Sequence, residues 1–136
     1  MNYAKIEFSP DSVNEGFARN SAAAFLLRYD PTIEFLADVK TAVSEAVTNC
    51  VVHGYREKTG PIIMTLKEHE GILTVEVEDF GCGIEDVKKA MEPLFTTHEE
   101  EERSGMGFAV MEMFMDTVEV ISSLDNGTRV IMTKKL

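Results

Sequence analysis

Two tight turns set between alternating segments restrict this chain more than any other feature. Ile62–Glu68 and Ile72–Asp79 each alternate apolar and polar side chains, with His69-Glu70-Gly71 between them. Thr117–Ser123 and Thr128–Lys134 repeat the pattern around Asp125-Asn126-Gly127. Glycine in such a turn supplies the positive φ that a short hairpin needs, so each pair of segments is predicted to run antiparallel. In the first pair Leu73, Val75 and Val77 face a core, while Thr74, Glu76 and Glu78 face away.

The remaining segments read as one more strand and several helices. Ala4–Phe8 alternates as a short strand. Ser12-Val13-Asn14-Glu15 has capping-box spacing, with Ser12 offered to the first free amides and Glu15 reaching back. The helix it opens is predicted to run to about Arg28, with Phe17, Ser21, Ala24 and Arg28 along one side. Asp30-Pro31-Thr32 starts a second, long helix from Ile33 to His53. Leu36, Val39, Val43, Ala46, Val47 and Cys50 form its apolar stripe, and Gly54 is expected to end it in the left-handed conformation. Glu85–Met91 reads as a short helix, and Gly107–Met115 as another that turns Val110, Met111 and Phe114 to a core. Between them, residues 93–104 show no period and carry the acidic run Glu99–Glu102.

Hairpin-joined strands with helices in this order predict an α+β fold. It is a two-layer α/β sandwich, with a mixed, mostly antiparallel sheet and the helices on one face. No repeat or linker divides the 136 residues, so a single domain over 1–136 is expected.

Charge and cysteine usage narrow the function classes. Thirteen basic against 24 acidic residues give a formal charge of −11, which argues against direct nucleic-acid binding and suits a basic protein partner. No apolar run is long enough to span a membrane, and MNYAKIEFSP is too polar for a secretory signal, so a cytoplasmic protein is expected. Cys50 and Cys82 are too few for a disulfide scaffold, and His53, His69 and His98 show no zinc-ligand spacing.

Three polar clusters are not explained by a core. Glu45, Asn49 and His53 recur every four residues on the long helix, forming a polar stripe beside the apolar one. Taken alone, that stripe reads as a solvated face, with His53 a capping or structural residue. Asp79, Gly81 and Gly83 place an acid at the end of a buried strand and two glycines after it. Such a junction lets backbone approach a flat ligand while the carboxylate accepts from an exocyclic amine. Arg103-Ser104-Gly105-Met106-Gly107-Phe108 is a glycine-rich helix start that offers amides and one cation to a phosphate, unless Arg103 merely balances Glu99–Glu102. Together the clusters supply a metal ligand, a base reader and a phosphate cradle.

At these residues the chain resembles a known family. Glu45-Ala-Val-Thr-Asn49, Asp79-x-Gly81-x-Gly83 and Gly105-x-Gly107 look like the N, G1 and G2 boxes of the gyrase, Hsp90, histidine-kinase and MutL ATPase superfamily, with its Bergerat-type ATP-binding fold. The length, with SEAVTN, VVHGY, PLFTT and ERSGMGF, resembles its anti-sigma-factor serine kinases, the sporulation members most closely. The resemblance implies that Asn49 coordinates Mg²⁺ and that Glu45 acts as general base toward a substrate hydroxyl. It implies that Asp79 reads adenine in a pocket shaped by Gly81 and Gly83, assisted by Thr128. Gly105 and Gly107 would contact the phosphates of ATP or ADP, within the run Arg103–Phe108. The segment at about 93–104 would be the ATP lid, with Arg103 near the γ-phosphate. The implied partners are a sporulation-type sigma factor, an anti-anti-sigma protein phosphorylated on serine, and a second copy of the chain. Arg19 on the first helix reads either as a solvated arginine or as a partner contact.

The triplet Asp79-Phe80-Gly81 also looks like the metal-holding Asp-Phe-Gly of eukaryotic-type protein kinases. That likeness fails, because the chain lacks the His-Arg-Asp loop and the strand lysine, and has about half the length such kinases require. Other readings are a nucleotide-gated sigma-binding module without phosphotransfer, a stress-response kinase of the same branch, and the ATP-binding half of a histidine kinase. The last needs an upstream dimerisation helix bearing the phosphorylated histidine, whereas this sequence opens directly on the first strand.

Overall fold

Both hairpins form as patterned. A computed structural model describes residues 1–56, 59–92 and 107–136. Strands β2 (Ile62–His69) and β3 (Ile72–Asp79) pair antiparallel through a turn in which Glu70 (φ 51°) and Gly71 (φ 79°) are both left-handed. Strands β4 (Thr117–Ser122) and β5 (Thr128–Lys135) pair likewise. Strand β1 (Asn2–Phe8) lies against β2, giving the order β1-β2-β3-β5-β4. Every described pairing is antiparallel, the antiparallel limit of the expected sheet. Because β5 pairs with β3, Asp79 at the end of β3 stands opposite Thr128 at the start of β5.

The helices cover the face to which Leu73, Val75 and Val77 point, and those three side chains are fully buried. Helix α2 (Ile33–Asn49) is the central member, contacting α1 (Asn14–Leu26), α4 (Gly107–Phe114) and β3. Its stripe of Val39, Val43, Ala46, Val47 and Cys50 is buried as patterned, and Thr32 caps it by accepting from the Phe35 amide at 3.0 Å. On α4 the most buried side chains are Phe108 and Met111, with Val110 and Phe114 half-buried. Helix α3 is shorter than its sequence pattern, Val87–Ala90, because the Asp86 carboxylate caps it by accepting from the Lys89 amide at 3.0 Å.

Two local expectations are corrected, and the buried face of α1 is assigned. Helix α1 buries Ala18, Ala22 and Leu26, whereas Phe17, Ala24 and Arg28 are exposed. Small alanines let α1 approach α2 closely, and Phe17 stays outside, edge-on to Phe8. The capping box does not form: the Val13 amide donates to the Asp11 carboxylate at 3.0 Å, and Glu15 pairs instead with Arg19 one turn on. Gly54 is not left-handed, since the positive-φ glycines among the described residues are Gly71, Gly83 and Gly127. Helix α2 instead widens into a π turn over Cys50–Gly54, closed by the Tyr55 amide donating to the Cys50 carbonyl at 3.1 Å. Glycine is needed at 54 for space, because a Cβ there would lie 2.7 Å from the Asp79 carboxylate.

The buried face of α1 gives a direct test. Leu26→Ala removes a fully buried side chain and is expected to cost about 2–5 kcal/mol in urea unfolding. Leu27→Ala, at a neighbouring position 66% exposed, should stay within about 0.5 kcal/mol of the parent.

Candidate functional site

The acid at the end of β3 is fixed by contacts that begin with its own chain. Asp79 is 3% exposed, and its carboxylate accepts from the Gly81 amide at 2.9 Å and from the Cys50 thiol. Burial holds the Asp79 carboxyl above the usual aspartate range, partly offset by the Gly81 amide. The same surroundings push the Cys50 thiol well up, first by burial and then by the negative charge of Asp79.

The two glycines after Asp79 serve docking within the protein. A Cβ at Gly81 would lie 1.8 Å from the Gly54 carbonyl oxygen, and one at Gly83 (φ 72°) would lie 2.0 Å from the Ser123 carbonyl. The loop is therefore wedged between the end of α2 and the β4–β5 turn. The Cys82 amide donates to the Gly54 carbonyl at 2.8 Å, and its thiol to the His53 carbonyl at 3.1 Å. On the other side, the Asp125 amide donates to the Cys82 carbonyl at 2.6 Å and the Gly127 amide to the Gly81 carbonyl at 3.1 Å.

Beside this wedge lies a cavity of about 980 Å³. Asn49, Asp79, Gly83, Phe108 and Thr128, all singled out in the sequence, line it. The Asn49 Oδ1 atom is buried and has no hydrogen-bond partner among the described residues. Gly107 packs directly on this side chain, since a Cβ there would lie 3.0 Å from Asn49 Nδ2. A buried, unsatisfied carboxamide oxygen is costly unless a ligand or ion completes it, and oxygen donors of this kind suit Mg²⁺. Among the described residues no group of three or more His, Cys, Asp or Glu side chains can hold a metal. An ion here would rely on Asn49, on oxygens from the ligand and on water, which Mg²⁺ gives up reluctantly.

Glu45 sits elsewhere. It lines a neighbouring groove of about 530 Å³ between α1 and α2, together with Arg19, Lys40 and Ser44. Burial, and then the charge of Glu15, raise its carboxyl above the ordinary glutamate range. Arg19 pairs with Glu15 and donates to Ser44 Oγ at 3.4 Å. The helix thus presents Asn49 to the cavity and Glu45 to the groove. Arg103, Ser104, Gly105 and Met106, with the lid at about 93–104, lie outside the described residues.

His53, read from sequence as a helix-end residue, lines the cavity, as do Arg56 and Lys89, which the sequence reading missed. They set basic groups against Glu85 and Asp86 on the same wall. Ser122 was also missed. Its hydroxyl accepts from the Ile84 amide at 2.7 Å, donates to the Gly127 carbonyl at 2.7 Å and lies 2.9 Å from Thr128 Oγ1. The register imposed by the Asp125-Asn126-Gly127 turn, which pairs Ser122 with Thr128, was the signal available for it. Arg56 and Lys89 left no periodic trace.

Comparison with known proteins identifies relatives of the chain and of its fold. A family model described as a histidine kinase-like ATPase domain matches residues 6–134. An anti-sigma F factor of Thermoanaerobacter sp. (strain X514) is 56% identical over 133 residues, covering 98% of this chain and 93% of that protein. An anti-sigma F factor of Clostridium perfringens (strain ATCC 13124) is 52% identical over 136 residues, covering 99% and 97%. A crystal structure of the RsbU and RsbW domains of a Mycobacterium tuberculosis protein superposes with a TM-score of 0.72 at 18% identity, over all of this chain and 32% of that one. That likeness shows a shared fold.

Burial of Asp79 has a pH signature. With its folded pKa raised, the carboxyl's favourable contribution is complete below the unfolded aspartate value and is lost as pH rises through the folded one. Asp79→Asn, which keeps an acceptor for Gly81, is therefore expected to melt a few degrees above the parent at pH 7 without nucleotide. The gap should close as both are titrated below pH about 4, the ordinary aspartate range.

Proposed function

Because the chain belongs to the anti-sigma F factor family, within the histidine kinase-like ATPase domains, we propose that it is an ATP-dependent serine kinase that also holds a sigma factor. One observation carries the nucleotide site: the orphaned Asn49 oxygen and the buried Asp79 carboxylate border the same cavity. Asp79 accepts a hydrogen bond from the adenine amine, with Thr128 beside it and Gly81 and Gly83 holding the loop. Asn49 is the protein ligand for Mg²⁺, whose role when bound is to neutralise phosphate charge. Gly107 and Phe108 border the phosphates of ATP or ADP. The family resemblance adds Arg103, Ser104, Gly105 and Met106 to the proposed phosphate contacts.

Glu45 takes the proton of the substrate seryl hydroxyl as its oxygen bonds to the γ-phosphorus and the bond to the bridging oxygen breaks. A carboxylate whose proton affinity burial has raised is better suited to that task than an ordinary one. Since Glu45 opens to the groove that Arg19 borders, the hydroxyl of an anti-anti-sigma protein approaches from that side, with Arg19 a partner contact. The sigma factor is of sporulation type, and the setting is the cytoplasm. A homodimer is implied by the family, and β1 and β4 each offer an edge strand unpaired on one side among the described residues. No helix among the described residues is long and apolar enough to cross a membrane.

A second reading, a nucleotide-gated sigma-binding module without transfer, is favoured by Glu45 lying outside the cavity lining. Glu45→Gln separates the two. With labelled ATP and the anti-anti-sigma protein, the variant should keep ATP affinity within about twofold and lose about 10²–10⁴-fold in serine phosphorylation. Wild-type protein that transfers no label would establish the module instead. For the metal, Asn49→Ala should abolish the gain in ATP affinity that Mg²⁺ produces and leave binding in a chelator unchanged. Calorimetry with and without Mg²⁺ measures this.

A further inference from the structure

Tyr55, just past the π turn, is 9% exposed and its phenol bridges two backbone segments. Its oxygen accepts from the Phe80 amide at 2.7 Å and donates to the Pro61 carbonyl at 2.7 Å. The ring is seated on Gly60, where a Cβ would come within 2.8 Å of the phenol oxygen. Phe80 directly follows the base-reading acid, and the next amide, Gly81, is the one the Asp79 carboxylate holds. The phenol therefore fixes the Asp79–Phe80 peptide from one side, and the carboxylate is aimed from that peptide on the other. A hydroxyl that accepts one bond and donates the next links the two cooperatively. Without it the Phe80 amide loses its acceptor, the peptide is free to turn, and the carboxylate turns with it.

We propose that Tyr55 is a specificity-positioning residue, whose phenol aims the Asp79 carboxylate at the exocyclic amine of the base. The inference rests on the reading of Asp79 as the adenine acceptor, and its test separates the two. ATP and inosine triphosphate, which carries an oxygen where adenine carries the amine, are titrated calorimetrically against five proteins. These are the parent, Asp79→Asn, Tyr55→Phe and Gly60→Ala, with Val118→Ala as a destabilised control away from the loop. The parent should prefer ATP by about tenfold or more, and Asp79→Asn should lose that preference. Tyr55→Phe and Gly60→Ala should lose most of it too, through weaker ATP binding, while Val118→Ala keeps the parent ratio. A merely structural tyrosine would lower melting temperature and leave the ratio unchanged, so an unchanged ratio in Tyr55→Phe overturns the proposal. If Tyr55→Phe does not fold, the ratio in Gly60→Ala decides by the same criterion. An Asp79→Asn protein that still prefers ATP overturns the reading of Asp79, and the proposal with it.

Discussion

The site depends on a close meeting of backbones, where the loop after β3 is held between the end of α2 and the β4–β5 turn. At its tightest point backbone meets backbone, because Gly81 and Gly54 approach so nearly that no Cβ fits at position 81. From there the hydrogen bonds of Cys82 fix the loop to the helix end, and those of Asp125 and Gly127 fix it to the turn. Chain regions far apart in sequence are thus joined beside a single buried carboxylate. Asp79 tolerates burial because its partners come from that same meeting: an amide two residues on, and a thiol from the π turn.

An acidic body must still accept an anionic ligand. The formal net charge is −11, and salt screens exposed charges beyond about 8 Å. At the cavity, His53, Arg56 and Lys89 line the same space as Asp79, Glu85 and Asp86, so basic groups stand close to any ligand there even though acids line it too. The outer sheet face carries its own compensation, with Glu76 between Lys67 and Arg129 at 3.6 and 2.7 Å. Global charge therefore says little about what this cavity binds. It bears more on which proteins approach the surface.

Strand register and the α2 core were legible because hairpin turns and a period-two pattern leave few alternatives. Leu73, Val75 and Val77 could face only one way once His69-Glu70-Gly71 formed its turn. The buried face of α1 was not legible, because Phe17 outweighs Ala18 on any hydrophobicity scale, yet a tight helix pair selects small residues. Gly54 was misread for a related reason: its lack of a side chain answers a contact with Asp79, 25 residues away, which no local pattern announces. Of the residues lining the cavity, Asn49, Asp79, Gly83 and Phe108 stood out through motif spacing, and Thr128 through the family resemblance. Tyr55, Ser122, Arg56 and Lys89 were not, since their importance arises only when separate segments meet.

Spacing on a helix also concealed a division. Glu45 and Asn49 lie four residues apart and share a stripe, which invites the view that they face one recess. Four residues advance the chain about 6 Å along the axis and turn it by only about 40°. That rise carries the stripe past the edge of the cavity, leaving Asn49 inside and Glu45 in the groove beside α1. A base that served only the nucleotide would gain nothing from this displacement. On the proposal that Glu45 is a base meeting a hydroxyl brought by another protein, access from outside is needed, and the groove with Arg19 on its border is where that access would lie.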